Sequence, residues 1–263
     1  MELDDAYANG KYIEGGAAYP DRWNAAAAQF RAQMAEAGRA RLNQPYDSGP
    51  RHGFDLFLPE GTPSGVLVFV HGGYWLNFDR STWSHFAAGG LGRGWAVALP
   101  SYDLCPQVRI ADITSQIAKA VQAVAAAVPG PIALTGHSAG GHLVARMLAP
   151  GMLSADFAGR IRHVVPISPL SDLRPLLKTT MNDSFAMTEA DATAESPVLQ
   201  PAPATAVTVW VGGAERPAFL DQARWLAEAW NAPNVVVPGK HHFNVIDDLA
   251  DPDSDLTRTL AGA

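Results

Sequence analysis

Pro131-Ile132-Ala133-Leu134-Thr135-Gly136-His137-Ser138-Ala139-Gly140-Gly141-His142-Leu143 reads as a buried strand, a sharp turn and the start of a helix, with one serine at the apex. Ile132 to Leu134 are apolar without alternation, as in a strand covered on both faces. Leu143, Val144, Met147 and Leu148 recur at helical spacing and give one apolar helix face. Gly136 and Gly140 flank the serine, where side chains would crowd a tight turn. This is the Gly-x-Ser-x-Gly nucleophile elbow, which lifts a serine clear of a sheet and sets it over a helix N-terminus that favours developing negative charge. Five residues alone specify little. Between a strand and a helix, with partner groups following in the right order, the motif is informative.

The same strand signature recurs along the chain. Val66 to Val70, Trp95 to Leu99, Val164 to Ile167, Val207 to Val211 and Val235 to Val237 are short apolar runs, and Phe54 to Leu58 alternates more, as an early edge strand would. Helical periodicity fills the gaps. Ile110, Ile113, Ile117, Val121, Val124 and Val128 step by threes and fours, as do Phe219, Ala223, Leu226 and Trp230. Alternating strands and helices predict a single α/β domain over residues 1–263, with a mostly parallel central sheet and helices on both faces. Residues 1–45 read as a helical N-terminal arm around Asp21 to Arg39. Residues 173–203 break the rhythm and read as a lid-like insert. The last dozen residues read as a polar tail.

Composition narrows the function class. The 19 basic and 26 acidic residues leave a net charge of −7, which disfavours a nucleic-acid or anionic-membrane surface. One cysteine, Cys105, rules out an internal disulfide and fits a reducing compartment. The acidic start resembles no signal peptide, and no apolar run reaches membrane-spanning length, so a cytoplasmic location is expected. The sequence lacks His-Glu-x-x-His, paired cysteines and phosphate-binding glycine loops, so no metal and no cofactor are expected. The expected partner is a small-molecule substrate, with a homodimer left open.

A serine hydroxyl needs a base, and the base needs an acid to fix its tautomer. On an elbow scaffold these follow in the order Ser, acid, His. Glu215 follows the strand Val207 to Val211, and His241 and His242 follow Val235 to Val237, where loops leave strand C-termini. Asp172, after Ile167, is the second candidate acid, although it also suits a helix N-cap before Leu173. His71-Gly72-Gly73-Tyr74-Trp75 follows the strand ending at Val70 and matches an oxyanion loop. It offers the N–H groups of Gly73 and Tyr74, with that of Ala139 behind the serine. His71 is expected to brace this loop, and His137 and His142 to pack. Tyr74, Trp75, Phe185 and Phe243 are the expected substrate-pocket walls.

Further segments extend the pattern: Ser101-Tyr102-Asp103-Leu104-Cys105-Pro106, Ile167-Ser168-Pro169-Leu170-Ser171-Asp172-Leu173, Glu195-Ser196-Pro197, Val211-Gly212-Gly213-Ala214-Glu215 and His242-Phe243. With the elbow and the His-Gly-Gly-Tyr-Trp loop, they resemble the α/β-hydrolase superfamily, and within it the serine-dependent kynurenine formamidases (arylformamidases) and related esterases. The resemblance spans roughly residues 10–250. It implies an α/β-hydrolase fold and a catalytic triad of Ser138, Glu215 and His242. It also implies hydrolysis of a small formamide or ester through an acyl-serine, with N-formylkynurenine as leading substrate. A general carboxylesterase or thioesterase would use the same machinery, and a non-catalytic ligand-binding protein on this scaffold is the reading from another class. The chain departs from the family in carrying Glu215 where aspartate is usual, and Lys178 to Ala194 matches no part of the pattern.

Overall fold

The computed structural model describes residues 1–262. One nine-stranded sheet organises them. The strands are β1 (Ala40–Pro45), β2 (Gly53–Phe57), β3 (Val66–Val70), β4 (Ala96–Pro100), β5 (Ile132–His137), β6 (Ile161–Ile167), β7 (Ala206–Val207), β8 (Val209–Gly212) and β9 (Asn234–Val237). Their spatial order is β1-β2-β4-β3-β5-β6-β8-β9, with β7 also on β6. β1–β2 and β2–β4 pair antiparallel, and every later pairing is parallel. The helices are α1 (Tyr19–Glu36), α2 (Ala87–Gly92), α3 (Ile110–Ala127), α4 (Ala139–Arg146), α5 (Ala155–Ala158), α6 (Asn182–Phe185), α7 (Glu189–Glu195), α8 (Pro217–Trp230) and α9 (Asp255–Ala261).

The sheet separates two apolar clusters. Val66, Val68 and Val70 of β3 face the cluster that holds α3, α4 and α8, while Leu67 and Phe69 face the one that holds α1, α2 and α9. Apolar residues on both faces explain why β3, β4 and β5 are buried along their whole length.

Three expectations need correction. Residues 40–45 are not helical: they form the edge strand β1, whose half-exposed, alternating residues leave only a weak apolar signal. The strand read over Phe54 to Leu58 is therefore interior, flanked by β1 and β4. The C-terminal stretch is no tail. Ser254 caps α9 by accepting from the Thr257 N–H, and Leu256 and Leu260, one helical turn apart, are buried. The 173–203 insert contains α6, α7 and short 3₁₀ turns, and buries Leu176, Phe185 and Ala192.

Register brings the C-termini of β3, β5, β6, β8 and β9 into line. Val70 lies opposite Gly136, His137 opposite Ile167, Ile167 opposite Trp210 and Gly212 opposite Val237. The residues leaving these five ends are His71, Ser138, Ser168, Gly213 and Pro238, so the loops carrying the candidate chemistry emerge side by side.

Candidate active site

Ser138 stands between β5 and α4 with φ 57° and ψ −116°, a strained conformation for a non-glycine residue. The strain is held by hydrogen bonds on both sides. The Ser138 N–H donates to the Ile167 carbonyl (2.8 Å), and the Ser138 carbonyl accepts from the His142 N–H (3.1 Å). The glycines are required by close approach: a Cβ on Gly136 would collide with the Gly140 carbonyl, and one on Gly140 with that of Val70.

His242 meets Glu215 through Nδ1 to Oε2 at 2.6 Å, with the carboxylate side chain fully buried. That contact leaves Nε2 as the ring nitrogen free to face a serine hydroxyl. Ser138 and His242 line the same cavity. Glu215 Oε1 accepts from the Gly212 N–H (2.9 Å) and the Ser168 hydroxyl (2.5 Å).

The competing candidates sit elsewhere. Asp172 is paired with Arg174 (2.6 Å between Oδ2 and Nη2) and accepts from the Arg174 backbone N–H, a local turn contact. His241 turns to the N-terminal arm, where its Nε2 lies 3.1 Å from the Tyr19 hydroxyl.

The His-Gly-Gly loop leaves β3 beside the elbow. A Cβ on Gly72 would lie 2.7 Å from the His137 carbonyl oxygen and 3.1 Å from the Ser138 Cβ. Gly73, Tyr74 and Trp75 all have positive φ (107°, 53° and 55°), which turns successive peptide planes. The loop is pinned by the Leu76 and Asn77 N–H groups donating to the Gly73 carbonyl, and by the Cys105 N–H donating to that of Trp75. The Gly73 and Tyr74 N–H groups donate to no partner among the described residues. Ala139, the first residue of α4, has no intrahelical acceptor for its own N–H.

Burial sets the state of the neighbouring histidines. His71 is stacked on Tyr102 with ring centroids 4.3 Å apart, its Nδ1 lies 2.8 Å from the Gly72 carbonyl oxygen, and desolvation pushes its pKa down to about 4. It braces the loop as a neutral ring. His142 is likewise pushed down to about 4 by burial, and its Nε2 donates to the Glu195 carbonyl (2.8 Å). His137, whose ring lies 4.5 Å from that of His242, is held neutral by desolvation and then by the nearby His242. Burial raises the Cys105 thiol to about 11, so it stays protonated.

The cavity over Ser138 has a volume of about 650 Å³. Tyr74 and Phe243 line it. Trp75 and Phe185 do not: both are fully buried, packed edge to face at 5.6 Å behind the loop. Trp75 is also packed edge to face against His142, with ring centroids 5.1 Å apart. Trp23, Phe78 and Trp83 add further aromatic wall. Of the insert, only Thr180 and Met181 reach the cavity, whereas the N-terminal arm contributes Tyr7, Asn9, Gly10 and others. The arm is tied down by the Tyr74 hydroxyl donating to the Tyr7 carbonyl and by Gln222 Nε2 donating to the Tyr7 hydroxyl. None of these added wall residues belongs to a motif; the aromatic density around Phe78 and Trp83, just past the loop, is their one signal in the sequence. Among the described residues no cluster of three His, Cys, Asp or Glu side chains could hold a metal ion, and no helix is long and apolar enough to cross a membrane.

Residues 67–246 match the family described as alpha/beta hydrolase fold. The chain belongs to that family. This hydrolase is 29% identical over 236 residues to a kynurenine formamidase of Salmo salar, covering 83% of its own chain and 80% of the relative. It is 29% identical over 229 residues to a kynurenine formamidase of Drosophila melanogaster, covering 78% and 76%. Among solved structures, a protein of Silicibacter sp. TM1040 provisionally named a thioesterase superposes with a TM-score of 0.98 at 63% identity over 100% of both chains. An esterase of Pyrobaculum calidifontis superposes with a TM-score of 0.67 over 92% of this hydrolase and 89% of the esterase, at 18% identity, which is a likeness of fold alone.

Proposed function

We propose that this hydrolase cleaves a small aryl formamide or ester through an acyl-serine, with N-formylkynurenine as the leading substrate. The observation that carries the reading is the buried Glu215–His242 contact at 2.6 Å, opening with Ser138 onto one aromatic-walled cavity. Ser138 Oγ attacks the carbonyl carbon while His242 Nε2 takes its proton. The carbonyl oxygen gains a full negative charge and is received by the N–H groups of Gly73, Tyr74 and Ala139, each such donor typically lowering the barrier by about 3–4 kcal/mol. The carbonyl carbon then loses its bond to nitrogen or oxygen, and His242 returns the proton to the departing amine or alcohol. Water, deprotonated by His242, attacks the acyl carbon; the Ser138 ester bond breaks and the proton goes back to Oγ. For a formamide the second product is formate.

The formyl group needs almost no acyl pocket, so a cavity of this size serves the leaving group. Its walls of Trp23, Tyr74, Phe78, Trp83 and Phe243 suit an aromatic one. The two formamidase relatives support this choice. An ester or thioester substrate is the second reading, favoured by the relative at 63% identity. The net charge of −7 fits an enzyme of small molecules better than one acting on nucleic acid or anionic membrane.

The test is kynurenine release from N-formylkynurenine by purified protein, run beside p-nitrophenyl acetate and an acyl thioester. A kcat/KM at or above about 10⁴ M⁻¹s⁻¹ on the formamide supports the leading reading. Thioester or ester turnover without kynurenine release moves the substrate to the second. Ser138→Ala removes turnover in either case, and a Ser138→Ala protein of undiminished activity refutes the mechanism.

A further inference from the structure

Only one oxygen of Glu215 meets His242; the other is also buried and needs partners. Oε1 has two, the Gly212 N–H at 2.9 Å and the Ser168 hydroxyl at 2.5 Å. Ser168 is itself fully buried, and among the described residues its hydroxyl donates to no other group. It stands just beyond β6 with φ 46°, a conformation that costs any non-glycine residue free energy. The Ser168 N–H donates to the Trp210 carbonyl at 2.7 Å, which fixes the residue across to β8, the strand that delivers Glu215. A strained, fully buried hydroxyl is thus aimed at the one carboxylate oxygen that does no work on the histidine.

We propose that Ser168 is a positioning residue for Glu215. Its hydrogen bond selects one rotamer of the glutamate, so that Oε2 is presented to His242 Nδ1. Glutamate has one more rotatable bond than aspartate, and an anchor on Oε1 removes that freedom. The inference rests on the proposed triad. The other titratable or charged groups around the pair are His137, His241, Tyr74 and Arg216; burial is the main effect on the first three, holding the histidines neutral and the phenol protonated, and the Arg216 guanidinium is paired with Asp5.

The experiment uses Ser168→Ala and Ser168→Gly in the full chain, with p-nitrophenyl acetate as substrate, a fluorophosphonate that labels active serines, and Ser138→Ala as blank. Glycine loses the hydroxyl but suits φ 46°, so it separates loss of the hydrogen bond from backbone strain and guards against misfolding of the alanine variant. Both variants are expected to lose about 10-fold or more in kcat, the usual worth of a hydrogen bond to a charged group, with KM unchanged. Labelling slows in parallel. Without the donor the carboxylate is more basic and holds the imidazolium proton more tightly, so the acid limb of kcat/KM moves to higher pH. A folded Ser168→Gly protein with wild-type kcat and an unmoved acid limb overturns the proposal and leaves the triad intact. A loss confined to KM also overturns it. An active Ser138→Ala blank overturns the triad, and the proposal with it.

Discussion

Replacing Glu215 by glutamine should do more than remove a charge; it should invert the tautomer of His242. The carboxylate accepts on both oxygens, from Gly212 and Ser168 on Oε1 and from His242 on Oε2. A glutamine has one accepting oxygen and one donating NH₂ group. The Gly212 N–H points at the Oε1 position and can only donate, so the amide oxygen goes there; NH₂ placed against it would bury two donors face to face, even with the Ser168 hydroxyl rotated to accept. The NH₂ group then lies opposite Nδ1 and donates to it. Nδ1 becomes the acceptor and the ring proton moves to Nε2, which can no longer accept the proton of Ser138. In the serine proteases that serve as the general example, this wrong-tautomer substitution costs about 10⁴-fold in kcat, equivalent to about 5 kcal/mol of barrier. The expected result for Glu215→Gln is a comparable loss at pH 7–8, with folding preserved because shape and hydrogen-bond count are kept. The assay is p-nitrophenyl acetate turnover, with Ser138→Ala as the floor and thermal unfolding as the folding check. Asp172→Asn is the control: it loosens a contact with the half-exposed Arg174, worth about 1 kcal/mol or less, and should leave kcat within twofold. A folded Glu215→Gln protein retaining a tenth of wild-type kcat would refute the argument, and the opposite ranking of the two variants would reassign the acid.

Three further outcomes follow from the packing around the site. Glu195 accepts from Thr114 (2.7 Å) and from Arg146 (3.2 and 3.3 Å) behind α4, so Glu195→Ala strands a buried guanidinium and should cost about 3–5 kcal/mol in urea unfolding; a loss below about 1 kcal/mol would contradict that. Phe243→Ala should raise KM by removing a cavity wall, whereas Phe185→Ala should cost about 3–5 kcal/mol of stability with KM unchanged, and exchanged effects would show the cavity to be misplaced. His71 and His142, both pushed down to about 4 by burial, accept protons in the unfolded chain near pH 6.5 but not in the folded one. Their contribution is complete above pH 6.5 and is lost as pH falls toward 4, about 2 kcal/mol each by pH 5; equal unfolding free energies at pH 7 and pH 5 would refute it.

The parts of this molecule visible in its sequence are those whose physics is local. β3, β4 and β5 are apolar on both faces because helices cover both, so their residues stand out without a partner in view. The elbow is visible because Gly136 and Gly140 are needed by backbone approach within a few residues. β1 carries Arg41, Asn43 and Pro45 on a half-exposed edge and leaves no such trace. The arm that walls the cavity has the periodicity of a helix, yet its contribution depends on contacts to Tyr74 and Gln222, 67 and 215 residues away from Tyr7 in the chain. Glu215 shows the same division most sharply. Its place after β8 is a matter of chain order. What a glutamate there requires, a buried Oε1 with its own donors, is met by a glycine N–H three residues back and by a serine just past the neighbouring strand whose positive φ no motif announces. The longer side chain is held at Oε1 by donors from the end of β6 and from β8, and a change of Glu215 to aspartate should lose that anchor and the 2.6 Å contact to His242 together. Glu215→Asp is therefore expected to lower kcat at unchanged KM despite keeping the carboxylate, and full activity in that variant would show that the reach of the side chain is not what holds the histidine.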